Sequence, residues 1–200
     1  SGLYAVKNKK SETIIDGVYI HDVYFDRKAG EMFCCTNNGL YKLFYSGDKW
    51  EYDHFYQTTN EDVYAITKEN NNNWVIAINR KVLRANLIDD EIEIIHDVNL
   101  PEEPGELFFV KSILDVTKVF TKDIIYDLSK DGELIKNKKL DDDSYIVENQ
   151  TEYTFVYKQN KWKVLSNNDI LPDKRTLKNI GLDNKVRYIS VTDENDLWVI

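Results

Sequence analysis

An internal period of about 40 residues is the feature that most constrains what this chain can fold into. Phe33-Cys34-Cys35, Trp74-Val75-Ile76 and Trp198-Val199-Ile200 each follow a polar turn preceded by an apolar run: His21 to Phe25, Val63 to Thr67 and Val186 to Thr192. Phe33 and Trp74 stand 41 residues apart, and Trp74 and Trp198 stand 124 apart, close to three such steps. A second series runs behind the first. Gly2-Leu3-Tyr4-Ala5-Val6 returns as Gly39-Leu40-Tyr41-Lys42-Leu43, with weaker echoes from Val82 and Ile124, so the steps from Leu3 are 37, 42 and 42 residues. An outer segment recurs as well, Tyr45-x-x-x-Lys49-Trp50 matching Tyr157-x-x-x-Lys161-Trp162.

The repeating unit is built of strands. Ala occurs five times and Tyr thirteen, and β-branched residues abound, which favours extended structure. In Glu91-Ile92-Glu93-Ile94 and Lys161-Trp162-Lys163-Val164 the apolar side chains alternate, the period of a half-buried strand, and no window shows a comparable helical stripe. Polar turns punctuate the strands: Asp26 to Gly30, Ser46-Gly47-Asp48, Glu69 to Asn73, Lys130-Asp131-Gly132 and Asp193 to Asp196. Helical repeats of similar length are thereby excluded, whereas four short strands per repeat describe the blade of a β-propeller. The expected fold is all-β, with blades at about 18–56, 61–98, 105–140 and 143–170 and half-blades at 1–16 and 183–200. Residues 105–170 lack the Trp-Val-Ile element. Because an unpaired half-blade exposes a sheet edge, the two half-blades either pair to close a ring of five or meet other blades or a second copy of the chain; the second arrangement is the favoured expectation, since the sequence stops at Trp198-Val199-Ile200, where the next Gly-Thr and Gly-Leu are due.

Composition narrows the partners. With 26 Lys and Arg against 35 Asp and Glu, the net charge is −9, which repels nucleic acid and anionic lipid. Apolar runs such as Leu107-Phe108-Phe109-Val110 fall far short of the about 20 residues of a membrane-spanning helix. Ser1-Gly2-Leu3-Tyr4 lacks the basic and apolar regions of a signal peptide, which leaves the compartment open. Cys34 and Cys35 are adjacent, so in a strand they point to opposite faces and form no disulfide; two buried apolar thiols are expected.

The repeats resemble the two-component regulator propeller family, whose pattern is an apolar strand, then Asp-x-x-Gly-x-Leu-Trp-Ile-Gly-Thr, two residues, and Gly-Leu. The matches are Asp193 to Ile200 and the run from Asp26 through Gly30-Glu31-Met32-Phe33 and Thr36-Asn37-Asn38-Gly39-Leu40-Tyr41. Around Trp74 the pattern is degenerate, with Ala77-Ile78 for Gly-Thr and Lys81-Val82 for Gly-Leu. The resemblance covers about half of the chain. It implies a periplasmic sensor region of Bacteroides-type hybrid histidine kinases, recognising an oligosaccharide; kinase, receiver and DNA-binding segments do not occur in these 200 residues.

The side chains give little sign of catalysis. His21, His54 and His96 recur about once per blade but lie near no nucleophile motif, and no His-x-x-x-His pair occurs. Paired carboxylates for sugar cleavage are not distinguished among the many Asp and Glu. The Asn- and Asp-rich turns lack the spacing of a calcium loop and suit turn geometry instead, as does Asp141-Asp142-Asp143. Asn149-Gln150-Thr151 matches a glycosylation sequon that carries little weight in a bacterial protein. Trp74 and Trp198 occupy a repeat position and are expected in the core. No metal or cofactor is expected. The expected role is a non-catalytic, ligand-binding sensor segment whose rigid blades carry recognition on loops; a carbohydrate-active propeller enzyme and a protein-interaction scaffold are the alternatives. Turns between the second and third strands share one face with the loops between blades. The candidate ligand contacts there are Asn37, Asn38, His54, Asn79 and Arg80, Arg80 being able to pair with a carboxylate or hydroxyl of a sugar acid.

Overall fold

The computed structural model describes residues 1–140, apart from 8, 27–28, 71, 89–90, 106–107 and 114, and beyond them the backbone of six strands between 144 and 199. β1 (Gly2–Lys7) and β2 (Lys10–Asp16) form a two-stranded antiparallel sheet. The first complete blade contains β3 (Ile20–Asp26), β4 (Glu31–Thr36), β5 (Gly39–Tyr45) and β6 (Trp50–Gln57). The second contains β7 (Val63–Lys68), β8 (Asn73–Ile78), β9 (Lys81–Ile88) and β10 (Glu91–Asn99). The third contains β11 (Phe108–Ile113), β12 (Val116–Thr121), β13 (Ile124–Leu128) and β14 (Leu134–Lys139). A fourth antiparallel set, β15 (Ser144–Asn149), β16 (Thr154–Lys158), β17 (Lys161–Ser166) and β18 (Asp169–Pro172), is extended by β19 (Tyr188–Val191) and β20 (Leu197–Val199). β19 runs parallel to β15 through Glu148↔Tyr188 and Asn149↔Ile189, so the two terminal strand pairs lie in separate sheets. Strand order follows chain order in every four-stranded sheet, the meander of a β-propeller blade.

One backbone bond marks the repeat. The turn before the third strand of a blade accepts a hydrogen bond from the residue after the fourth: Thr58 N–H to Asn38 O at 3.2 Å, Leu100 N–H to Arg80 O at 2.7 Å and Leu140 N–H to Asp123 O at 2.7 Å. Gly17 N–H to Ser1 O at 3.1 Å is the same bond, which identifies β1 and β2 as the third and fourth strands of a blade. The repeated Gly-Leu-Tyr follows from crowding at that point. A Cβ on Gly39 would stand 2.1 Å from Tyr56 O, one on Gly2 2.3 Å from Ile15 O, and both glycines have positive φ, so the close approach requires their lack of a side chain.

Each of the three described blades buries both faces. Ile15, Val18, Cys34, Tyr41 and Leu43 close the first blade against β1 and β2. Phe33, Cys35 and Leu40 meet Val63, Ile66, Trp74, Ile76, Ile78 and Leu83 between the first and second blades. Ala65, Val75, Ala77 and Val82 meet Phe108, Phe109 and Phe120 of the third. Cys34 and Cys35 thus lie in different cores, as the alternation of a strand requires.

The register corrects one sequence expectation. Thr36↔Gly39 and Ile78↔Lys81 are equivalent pairs across the β4–β5 and β8–β9 turns, so Trp74 matches Met32, and Phe33 matches Val75. A step of 41 in place of 42 reverses the face of a strand residue. Phe33 and Trp74 therefore do not repeat one another; they pack together across the interface, centroids 4.9 Å apart at 64°. Tyr24 meets Trp74 edge-on at 5.6 Å, and the Lys68 ammonium lies 5.0 Å from the indole centroid. The side chains of Trp162 and Trp198, the turn at Asp193 to Asp196, Asp141-Asp142-Asp143 and the sequon's Gln150 and Thr151 lie outside the described residues. Trp74→Ala should cost about 3–5 kcal/mol by chemical denaturation, since Trp74 is 1% exposed.

Candidate functional site

Innermost strands of consecutive blades begin with a matched irregularity. In β3 the register passes from Ile20↔Thr36 to Asp22↔Cys35, leaving His21 without a ladder partner. In β7 it passes from Val63↔Ile78 to Ala65↔Ala77, leaving Tyr64. A β-bulge breaks the alternation and re-aims the side chain of its extra residue. The two rings meet, His21 and Tyr64 having centroids 4.7 Å apart. Tyr19 approaches His21 edge-on at 5.0 Å, and Tyr64 approaches Phe108 of the third blade at 5.6 Å. Tyr19 is 62% exposed, so this aromatic row runs from the blade interfaces out to solvent. The His21 imidazole bonds the Asp62 carboxylate at 3.0 Å, joining the first blade to the loop that enters the second.

Two asparagines lock the residues that precede these strands. Asn37 N–H bonds Tyr19 O at 3.2 Å while Asn37 Oδ1 accepts from Tyr19 N–H at 2.8 Å. Asn79 does the same to Asp62, at 3.0 and 3.1 Å. Asn79 has φ 45, a conformation that Asn tolerates better than most residues. Both asparagines, proposed from sequence as ligand contacts, have their side-chain oxygens engaged in holding Tyr19 and Asp62.

The other three candidates lie at the same end of the blades. Asn38 Oδ1 accepts from Thr36 Oγ1 at 2.8 Å and from Tyr41 OH at 3.1 Å. His54 stacks on Tyr41, centroids 4.3 Å apart at 9°, and its Nε2 is 3.2 Å from Asn38 O. Arg80 is exposed and pairs with Glu103 at 2.8 Å. The structure therefore joins Asn38 to His54 and both turn asparagines to the inner strands, while Arg80 is held by the following loop. Sequence reasoning missed Tyr19, Asp62 and Tyr64 and treated His21 as a scattered imidazole. The available signal was the parallel between Tyr19-Ile20-His21 and Asp62-Val63-Tyr64, 43 residues apart.

Burial shapes the titrating groups. Asp22 follows the first bulge, at the position that Ala65 holds in the second blade. Loss of hydration pushes its carboxyl up to about 6, opposed by the Val23 amide. Burial likewise raises the Cys34 thiol to about 12, with the Asp22 charge adding to the shift, which leaves Cys34 protonated and unreactive. Tyr64 is raised by burial and then by the Asp62 charge. Among the described residues no group of three or more His, Cys, Asp or Glu is arranged to hold a metal ion, and no helix is long and apolar enough to cross a membrane.

No family model and no curated protein matches the chain. Among solved structures it is similar to a protein of unknown function from Bacteroides thetaiotaomicron, with TM-score 0.65 and 12% identity over 96% of this chain and 59% of that one. It is similar to another of unknown function from Bacteroides caccae, with TM-score 0.61 and 12% identity over 95% of this chain and 73% of that one. A third similar structure is the extracellular domain assigned to the hybrid two-component system BT3049 of B. thetaiotaomicron, with TM-score 0.59 and 13% identity over 99% of this chain and 27% of that one. At these identities the likeness shows the fold. The chain is a set of β-propeller blades and shares that fold with an extracellular domain of a bacterial two-component system.

The partly buried Asp22 carboxyl gives a signed prediction. The folded state binds its proton more tightly than the unfolded chain, so its contribution to stability is greatest below the ordinary value of 3.8 and is lost as pH rises to about 6. Asp22→Asn should therefore be more stable than the parent by about 2 kcal/mol at about pH 7.5, with the gap closing toward about pH 4, in parallel denaturant titrations.

Proposed function

We propose that this chain is the ligand-recognition region of an extracytoplasmic, non-enzymatic sensor in a two-component system, and that it binds an oligosaccharide at the blade end carrying Tyr19, His21, Asp62 and Tyr64. The observation that favours this reading is the pair of matched bulges, which replaces ordinary core residues at two equivalent inner-strand positions with a continuous aromatic row ending in solvent. Sugars present apolar C–H faces and a rim of hydroxyls, and they bind where rings offer stacking area beside a few fixed polar groups. Tyr19 supplies exposed ring area, Asp62 a half-exposed carboxylate at the entry to the second blade, and His21 the link that holds them together. Asn37 and Asn79 act by fixing the backbone beneath Tyr19 and Asp62, while Asn38, His54 and Arg80 extend the contact zone outward. The fold shared with an extracellular two-component domain supports the periplasmic and signalling parts of this proposal, in which a histidine kinase receives the signal.

A thermal-shift screen against plant and microbial oligosaccharides tests this function. A ligand at a hundred times its dissociation constant adds about 2.7 kcal/mol to stability. Tyr19→Ala, at an exposed position, should leave the unliganded melting temperature within a few degrees and remove the ligand-induced shift. A shift that persists in this variant contradicts the proposed site, and sugar cleavage on prolonged incubation contradicts the non-enzymatic reading.

A further inference from the structure

Resting on that reading of the site, we infer that the ligand is a neutral oligosaccharide, selected by Asp62 and by the pairing of Arg80, Lys81 and His21 with carboxylates of the protein. In the sequence Arg80 is a candidate partner for a carboxylate or hydroxyl of a sugar acid. In the structure Arg80 Nη1 is held by Glu103 Oε1 at 2.8 Å. Its neighbour Lys81 lies 3.4 Å from Asp97 and 3.9 Å from Glu61. His21 is bonded to Asp62 at 3.0 Å. Each of these cationic or potentially cationic groups already faces a carboxylate. In the third blade, Lys122 folds its aliphatic stem across Gly105, where an added Cβ would meet Lys122 Cβ at 2.9 Å.

The remaining charge facing a ligand on the aromatic row is negative. The Asp62 side chain is 37% exposed, and its Oδ2 bonds His21, so the carboxylate keeps further acceptor capacity that a ligand on the aromatic row can use. An ionised carboxylate only accepts hydrogen bonds, and a neutral sugar offers a hydroxyl on nearly every ring carbon, two of them adjacent and able to donate to one carboxylate. A uronic acid or sulfated sugar brings like charge to the same place, in the field of a chain with net charge −9. A site built to pair with hydroxyl donors discriminates strongly against a ligand that leaves its acceptor facing another acceptor.

Isothermal titration of the whole chain tests this inference, with neutral gluco-, manno-, xylo- and arabino-oligosaccharides set against oligogalacturonate and oligoalginate of equal length, at low and high salt. At least one neutral ligand should bind at least tenfold more tightly than every acidic one, with an affinity that hardly changes with salt. Asp62→Asn, which retains the backbone lock to Asn79, should weaken the neutral ligand about tenfold and narrow the gap to the acidic set. An acidic oligosaccharide that binds more tightly than any neutral one, and loses affinity in Tyr19→Ala, overturns the inference while leaving the site in place. Binding indifferent to both Tyr19→Ala and Asp62→Asn, or no binding by any member of the two sets, overturns the site and the inference together.

Discussion

Everything in this structure depends on the packing of one blade against the next. A four-stranded sheet with two apolar faces is insoluble alone and stable only when a neighbour covers each face. Phe33 against Trp74 is the clearest instance, because two large rings from opposite faces of adjacent blades fill one gap. The same requirement explains the charged groups at the far end of the blades. Arg84 is 5% exposed, and its guanidinium reaches both oxygens of Glu69 at 2.8 and 2.9 Å and the carbonyls of Ser129 and Lys130 at 2.7 Å. Burial of an arginine is tolerable only when its donors are met this completely. Lys68 and Asp26 make a comparable link between the first and second blades.

That rigid packing is also what allows the opposite end to be irregular. Bulges at His21 and Tyr64 give up ladder bonds on the innermost strands, and the loss is held in check by the asparagine locks on Tyr19 and Asp62. A second family of bulges recurs on the outermost strands, at Ile14, Phe55, Ile95 and Asn137, in the partial blade and all three described blades. The outer bulges therefore belong to the architecture. The inner pair occurs in two blades and is absent from the third, where Phe108↔Thr121 and Phe109↔Phe120 follow without a break. Selective placement among the described blades is what supports the recognition role proposed for the inner pair.

The sequence made the architecture legible because period and alternation are properties of the backbone that side chains must obey. Cys34 and Cys35 fall on opposite faces for that reason. The equivalence of Phe33 and Trp74 was misread because a strand tolerates an error of one residue in spacing but not in facing. The site was less legible. A bulge shifts the side-chain alternation by one, and the only sign of it is that Tyr19-Ile20-His21 and Asp62-Val63-Tyr64 stand 43 residues apart, one more than the 42 that separate Thr36 and Ile78. Turn asparagines look alike in sequence whether they bind a ligand or a neighbouring backbone; Asn37 and Asn79 do the second. Arg80 looked available because Glu103, its partner, lies in the next inter-blade loop, 23 residues further on.

The central claim is that ligand recognition occurs at the bulged end of the inner strands. Two-dimensional heteronuclear NMR of the labelled chain, titrated with a neutral oligosaccharide that stabilises it, tests this most directly. The account predicts that the largest shifts fall on Tyr19, His21, Asp62 and Tyr64, with smaller ones at Asn38 and His54. Shifts confined to the opposite end, at the turns 46–49 and 129–133, would contradict it.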